Sequence, residues 1–217
     1  MKRHVAEGAG AFFLTLAYLL MQANAAVRDH APATLGLLLL GLTLVVRHMA
    51  PAQFNPAVSI AGWVSGRIAR PELSHALLAQ LAGAVAAGAI ASWLLNSEQA
   101  AAAAAYQFPQ RPSLEVVFVE LLSVALIASA YWILFFGKKK GEGAAGVSAL
   151  FYALLRLFEP FGAAINPAFL VGALIVGAQD GELILTRLFG MALGIGLAAS
   201  LLIALDRDPD RGPESGS

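Results

Sequence analysis

The tripeptide Asn-Pro-Ala occurs twice in the chain, at residues 55–57 and 166–168, and supplies the side chains best suited to chemistry. Asparagine is a favoured helix N-cap because its side-chain oxygen accepts a hydrogen bond from an N–H of the first turn. Proline is favoured at the next position, where its missing N–H costs nothing. Capping uses only the oxygens of Asn55 and Asn166, so each amide NH2 should be free to donate. The motifs therefore predict two helix starts that each offer a hydrogen-bond donor to a solute.

An acidic residue precedes each motif at nearly the same distance: Glu7 precedes Asn55, and Glu120 precedes Asn166. Both halves thus carry an acidic residue early in an apolar segment, then a second segment, Asn-Pro-Ala, a short apolar stretch and a third segment. The third segments also agree, as "AQLAGAVAAG" and "TRLFGMALG". The pattern indicates that the chain consists of two repeats of the same order of segments.

The composition is typical of an integral membrane protein. Of the 217 residues, 59% are hydrophobic and 13% are charged, and the mean hydropathy is +0.72, far from the soluble average. A net charge of zero gives no indication of a nucleic-acid partner, and the absence of cysteine excludes disulfides and thiol catalysis. No carboxylate pair or metal-ligand spacing is present, so we expect no catalytic residue, no metal, no cofactor and no enzyme activity.

The elements that must position the two asparagines follow from the apolar segments. Six segments approach the roughly 20 residues that a spanning helix needs, at about 5–23, 33–49, 72–95, 113–136, 143–159 and 183–205. Two stretches at about 56–65 and 167–176 are too short to span and are predicted to be half-helices. The first segment also fits a secretory signal peptide, but a cleaved signal would have no reason to match the middle of the chain.

The predicted fold class is an all-α membrane protein with six transmembrane helices and two re-entrant half-helices. One domain is expected over residues 1–205, with repeats at about 1–105 and 113–205, and residues 206–217 form a polar tail that we expect to be disordered. Three spans per half is an odd number, so the second half enters the membrane from the opposite side, as an inverted repeat.

Two half-helices that meet N-terminus to N-terminus point the positive ends of their dipoles at one place near the bilayer midplane. Cations and protons are repelled there, whereas a neutral hydrogen-bonding solute is offered two donors. The pattern therefore predicts a pore for small neutral molecules.

Basic residues predict the orientation, because cytoplasmic loops carry an excess of lysine and arginine. With the N-terminus inside, ten of the chain's 14 basic residues lie on the inner side, against four on the outer side, Arg28, Arg111, Arg156 and Arg187. We expect both termini to be cytoplasmic and the location to be the plasma (inner) membrane.

The chain resembles the aquaporins, the major intrinsic protein family of water and small-solute channels, over essentially all of residues 1–205. The resemblance lies in "AEGAGAFFLTL", "FNPAVSIAGWVSGRI", "AQLAGA", "VELLSVAL" and "GAAINPA", and the first half resembles bacterial aquaporins best. It implies six tilted helices around two re-entrant half-helices, a pore in every protomer, a lipid bilayer as surroundings and assembly as a homotetramer.

The resemblance also implies roles for particular residues. Asn55 and Asn166 match the paired pore asparagines, and Glu7 and Glu120 match buried glutamates that accept hydrogen bonds from backbone N–H groups of the re-entrant loops. A carboxylate inside a membrane is costly unless it is bonded, which agrees with a support role. The residues that match those stacking the half-helices together are Pro56, Ala57, Pro167 and Ala168.

The chain departs from the family directly after the second motif. Most members have an arginine there, in the narrow outer filter, whereas this chain has Phe169. Counted from the motifs without gaps, the other filter positions fall on Leu35, Leu154 and Ala163, so the filter is expected to be apolar. Arg156 is two residues from Leu154 and should point away from that face, towards Glu159.

An apolar filter leaves several functions open. The first hypothesis is a passive channel for water and small neutral solutes. A wide filter would instead favour glycerol, ammonia or gases, and a narrow one would dewet and close the path. A poorly conducting structural protein of the same fold is a further alternative. A secondary transporter is disfavoured, because the spans carry few ionisable groups that could couple an ion.

Overall fold

A computed structural model of the protein describes residues 2–46, 53–101, 113–136, 143–158, 164–177 and 181–206. The helices in these ranges are α1 (Lys2–Gln22), α2 (Ala25–Arg28), α3 (Ala31–Val46), α4 (Pro56–Val64), α5 (Arg70–Leu94), α6 (Leu114–Phe136), α7 (Gly143–Leu157), α8 (Pro167–Ile175) and α9 (Gly181–Asp206). All six predicted spans and both half-helices are present, so the predicted fold class is confirmed. The short helix α2 was not predicted. Its N-cap is Asn24, which accepts from the N–H of Ala26.

Within the described residues, four helices are long and apolar enough to cross a membrane on their own: α1, α5, α6 and α9. The remaining two, α3 with 16 residues and α7 with 15, are roughly 22–24 Å long at 1.5 Å per residue. Both are apolar but shorter than a typical span within their described bounds.

The helix packing has the two-fold pattern that an inverted repeat requires. Helix α1 packs on α5 as α6 packs on α9, and half-helix α4 contacts α6 and α9 as α8 contacts α1 and α5. Helices α3 and α7, which are equivalent in the two repeats, pack against each other. Each half-helix is therefore enclosed by long helices of the other half.

The pairs α1–α5 and α6–α9 approach so closely that glycine is required at their contacts. A Cβ atom on Gly83 would collide with the carbonyl oxygen of Gly8, and one on Gly190 would lie 2.6 Å from the carbonyl oxygen of Val117. Small residues allow such contact between membrane helices, where van der Waals packing rather than hydrophobic burial drives association.

Both half-helices end in the same way. Gly66 (φ 78°) follows α4, and Gly177 (φ 86°) follows α8, in the left-handed conformation that commonly terminates helices because glycine has no Cβ to clash. Their N–H groups bond to the carbonyls of Trp63 and Leu174 at 3.0 and 3.2 Å.

One face of the bundle carries the start of α1 and the end of α9, and we call it the terminal face. Among the residues that the structure describes, two ion pairs lie there: Arg3 with Glu72 at the start of α5, and Arg67 after α4 with Asp206, at 2.9 Å. Half-helix α4 therefore returns to the terminal face. Half-helix α8 runs to the opposite face, where the hydroxyl of Ser92 near the end of α5 donates to the carbonyl of Ile175 at 3.3 Å.

Candidate functional site

The two asparagines cap the half-helices that they precede. The Oδ1 atom of Asn55 accepts from the N–H of Ala57 at 2.9 Å, and that of Asn166 accepts from the N–H of Ala168 at 3.0 Å. Pro56 begins α4 and Pro167 begins α8, where the absent N–H leaves no donor unsatisfied. The side chains of Asn55 and Asn166 are buried.

The amide NH2 groups differ from the sequence-based expectation that they are entirely free. Asn55 donates through Nδ2 to the carbonyl of Ile165 at 3.3 Å, and Asn166 donates to the carbonyl of Phe54 at 3.1 Å. The expectation treated each motif alone, whereas the two loops meet and each supplies an acceptor. An amide NH2 has two N–H bonds, so one N–H of each asparagine is used between the loops and each amide carries a second.

The accepting carbonyls belong to residues with an unusual backbone. Phe54 has φ 55° and Ile165 has φ 60°, a left-handed conformation that is rare for non-glycine residues and rarest for β-branched ones. Such conformations cost about 1–3 kcal/mol each and persist only where surrounding contacts enforce them. Here those contacts are the opposite asparagine and a buried carboxylate.

In the first half that carboxylate is Glu7. It accepts hydrogen bonds from the N–H groups of Gln53 at 2.9 Å and Phe54 at 2.8 Å, and from Nε2 of Gln80 at 2.8 Å. Gln80 also donates to Oγ of Ser59 at 3.0 Å. The Glu7 side chain has no exposed surface, so it holds the backbone before α4 from inside the bundle.

In the second half the carboxylate is Glu120. It accepts from the N–H groups of Ala164 at 2.9 Å and Ile165 at 3.0 Å. Its third partner is a cation, because Nη1 of Arg187 lies 2.5 Å from Oε1 of Glu120, and both side chains have no exposed surface.

The sequence analysis counted Arg187 only as a basic residue of the outer side and did not identify its partner, whereas the structure places it within α9 as half of a buried ion pair. One signal could have identified it. Aligning "AQLAG" with "TRLFG" places Arg187 where the first half has Gln80, the residue that bonds to Glu7.

A cavity of about 20 Å³ lies at the two asparagines, room for about one water molecule. Its polar lining consists of Thr43, Gln53, Asn55, Tyr131 and Asn166. The rest of the wall is apolar: Leu14, Leu39, Phe54, Val58, Ile127, Phe135, Val147 and Phe151. A small cavity with mostly apolar walls and a few hydrogen-bonding groups suits a small neutral solute better than an ion.

Three of the four predicted filter residues lie in described segments. Leu35, Leu154 and Phe169 are all buried, in one apolar cluster, and none of them lines the cavity. Ala163 lies outside the described residues. Arg156 is on the exposed side of α7, away from Leu154, and its predicted partner Glu159 also lies outside the described residues.

Two comparisons with known proteins bear on this site. A model of the major intrinsic protein family matches residues 1–202. The structure is similar to that of the aquaglyceroporin from Plasmodium falciparum, with a TM-score of 0.70 and 17% sequence identity over 96% of each chain. At that identity the structural likeness establishes the fold alone.

Proposed function

The chain belongs to the major intrinsic protein family, whose members are channels and not enzymes, and we propose that its pore lies where the two Asn-Pro-Ala half-helices meet. The protein is an integral, multi-pass membrane protein and a passive channel for water and small solutes. The observation that carries the proposed pore is the pair of asparagines, Asn55 and Asn166, at one small cavity.

The chemistry of the cavity supports a neutral solute. The two half-helices begin at this point, so the partial positive charges of both N-termini face the solute and oppose cations. The second N–H of each asparagine can donate to the oxygen of a water molecule or an alcohol. An oxygen held by both donors directs its own protons away from the centre, which interrupts a proton-conducting chain of waters.

The supporting residues are proposed to act through the loops rather than on the solute. Glu7 and Glu120 would fix the backbone before each asparagine, a role supported by their hydrogen bonds to four loop N–H groups. Close packing of the half-helix starts is proposed for Pro56, Ala57, Pro167 and Ala168. This role is supported by the burial of Pro56, Ala57 and Ala168.

Assembly and location are also proposals. Family membership supports a homotetramer with one pore in each protomer. The excess of basic residues supports a cytoplasmic terminal face in a plasma (inner) membrane. This face carries Arg3 and Arg67.

Stopped-flow light scattering on proteoliposomes tests the function. Vesicles that contain the protein are expected to shrink faster in a hyperosmotic sucrose solution than empty vesicles of the same lipid. Equal rates for a correctly inserted protein would contradict an open water channel and favour a poorly conducting structural protein.

A preference for glycerol, ammonia or gases is the second candidate, and the apolar Leu35, Leu154 and Phe169 favour it. The structural relative from Plasmodium falciparum is an aquaglyceroporin, which supports including glycerol in the assay. Uptake of glycerol and of ammonia by the same vesicles measures how broad the selectivity is.

The variant Phe169→Arg is expected to lower glycerol permeability relative to water permeability. A guanidinium adds hydrogen-bond donors, which favours water over the bulkier glycerol in a narrow path. Its face can also stack on the ring of Tyr18, which contacts Phe169. The measurement is the ratio of the two permeabilities in proteoliposomes. Phe169→Leu removes the ring without adding a donor and should not narrow the solute range. An unchanged ratio in a correctly assembled Phe169→Arg protein would place Phe169 outside the filter.

A further inference from the structure

The ring of Phe169 stacks on the ring of Tyr18. Their centroids are 4.3 Å apart and their planes differ by 14°. The ring of Phe151 lies farther away and meets the ring of Phe169 edge-on, with the two centroids 6.4 Å apart. Phe169 has no exposed surface, and Tyr18 is 4% exposed. The stack is therefore a closed contact inside the bundle.

The position of Tyr18 on α1 places this stack at the end of the cavity. Leu14 lines the cavity, and Tyr18, which does not line it, follows four residues later on the same face of the helix. Helix α1 runs away from the terminal face, so Tyr18 lies one turn nearer the opposite face than Leu14. On α1 the Tyr18 side chain therefore lies one turn beyond the lining of the cavity, towards the opposite face.

Two other helices show the same order, with a lining side chain followed by a buried one nearer the opposite face. On α3, Leu39 lines the cavity, but Leu35, one turn nearer the opposite face, is buried outside it. On α7, Phe151 lines the cavity, but Leu154, again nearer the opposite face, does not. Towards the opposite face, the described side chains next beyond the cavity on these three helices are therefore buried, with the aromatic stack among them.

We propose that Tyr18 is a specificity-determining residue, which holds the Phe169 ring across the path so that a solute passes only when the two rings separate. This proposal rests on the proposed function and assigns a role to a residue of α1, outside the four filter positions. A smaller solute requires a smaller separation of the rings. The stack therefore discriminates by size where the chain has no filter arginine.

Replacing Tyr18 by alanine tests the proposal. Tyr18→Ala is expected to raise the ratio of glycerol to water permeability about fivefold, the factor that corresponds to removing one aromatic pair contact from the barrier. Tyr18→Phe retains the ring and should bring the ratio back towards the wild-type value. Phe13→Ala removes a ring from the exposed surface of the same helix, where Phe13 is 49% exposed, and should leave the ratio unchanged.

Phe169→Ala removes the other half of the stack and should shift the ratio in the same direction as Tyr18→Ala, which provides a second test if one variant fails to assemble. An unchanged or lower ratio in these variants, with a conducting wild-type protein, overturns the proposal alone. If the wild-type protein does not conduct but the Tyr18→Ala variant does, the result supports the proposal and contradicts an open wild-type channel. If none of the correctly inserted proteins conducts, both the proposal for Tyr18 and the proposed function are contradicted.

Discussion

Arg187→Leu is expected to lower the free energy of unfolding by about 3–5 kcal/mol, because it leaves the Glu120 carboxylate buried without its cation. Neither member of the pair has exposed surface, so water cannot replace the lost guanidinium. The loss also reaches the second half-helix, since Glu120 holds the N–H groups of Ala164 and Ile165. Thermal unfolding of the detergent-solubilised protein measures the change as a lower Tm.

Arg187→Gln is the matched control for this variant. It reproduces the first half of the molecule, where Gln80 donates to Glu7 at 2.8 Å, and so keeps a donor for the carboxylate. We expect the free energy of unfolding to fall clearly less than in Arg187→Leu. Equal losses for the two variants would mean that the charge and its hydrogen bond contribute little, and that the volume of the Arg187 side chain dominates.

Gly190→Ala is expected to destabilise the α6–α9 contact by about 1–3 kcal/mol, the usual effect of overpacking a tight core. The new Cβ would lie 2.6 Å from the carbonyl oxygen of Val117 and 3.0 Å from Cβ of Glu120. Since the nearest atom belongs to the backbone, it cannot move aside by a rotamer change. The helices must separate, which also disturbs the Glu120–Arg187 pair one turn away. Thermal unfolding in detergent reports the loss.

Gly196→Ala provides a control with the opposite sign. Gly196 lies in the same helix, and a Cβ there would meet no atom within 4 Å. Alanine is favoured over glycine inside a helix by about 0.5–1 kcal/mol, so a small rise in Tm is expected. A fall in Tm of the same size for both variants would contradict close packing at Gly190 as the cause.

Local chemistry explains which features could be predicted from the sequence. Helix starts at Asn55 and Asn166 depend on a cap and a proline within two residues, and these signals are complete in the sequence. The six spans follow equally from the length of the apolar runs. The inverted repeat needs only the order of these signals, so the fold class could be derived before any contact was known.

Three features that depend on contacts between distant segments were not predicted. The use of one N–H of each asparagine between the loops requires that Phe54 and Ile165 present their carbonyls to the opposite motif. The burial of Arg187 beside Glu120 depends on the packing of α9 on α6. Tyr18 gave no signal at all, because an aromatic residue in an apolar span looks the same whether it faces lipid or a partner ring.

The reciprocal bonds of the two asparagines also set an order of assembly. Asn55 and Ile165 are separated by 110 positions in the chain, and Asn166 and Phe54 by 112. Contacts between such distant segments form late, because the intervening chain must first be brought together. Each half can insert its helices during synthesis, but neither half contains the acceptor that its own asparagine needs. The centre of the molecule is therefore completed only after the second motif is made, and a chain truncated before Ile165 would leave the first asparagine without its acceptor.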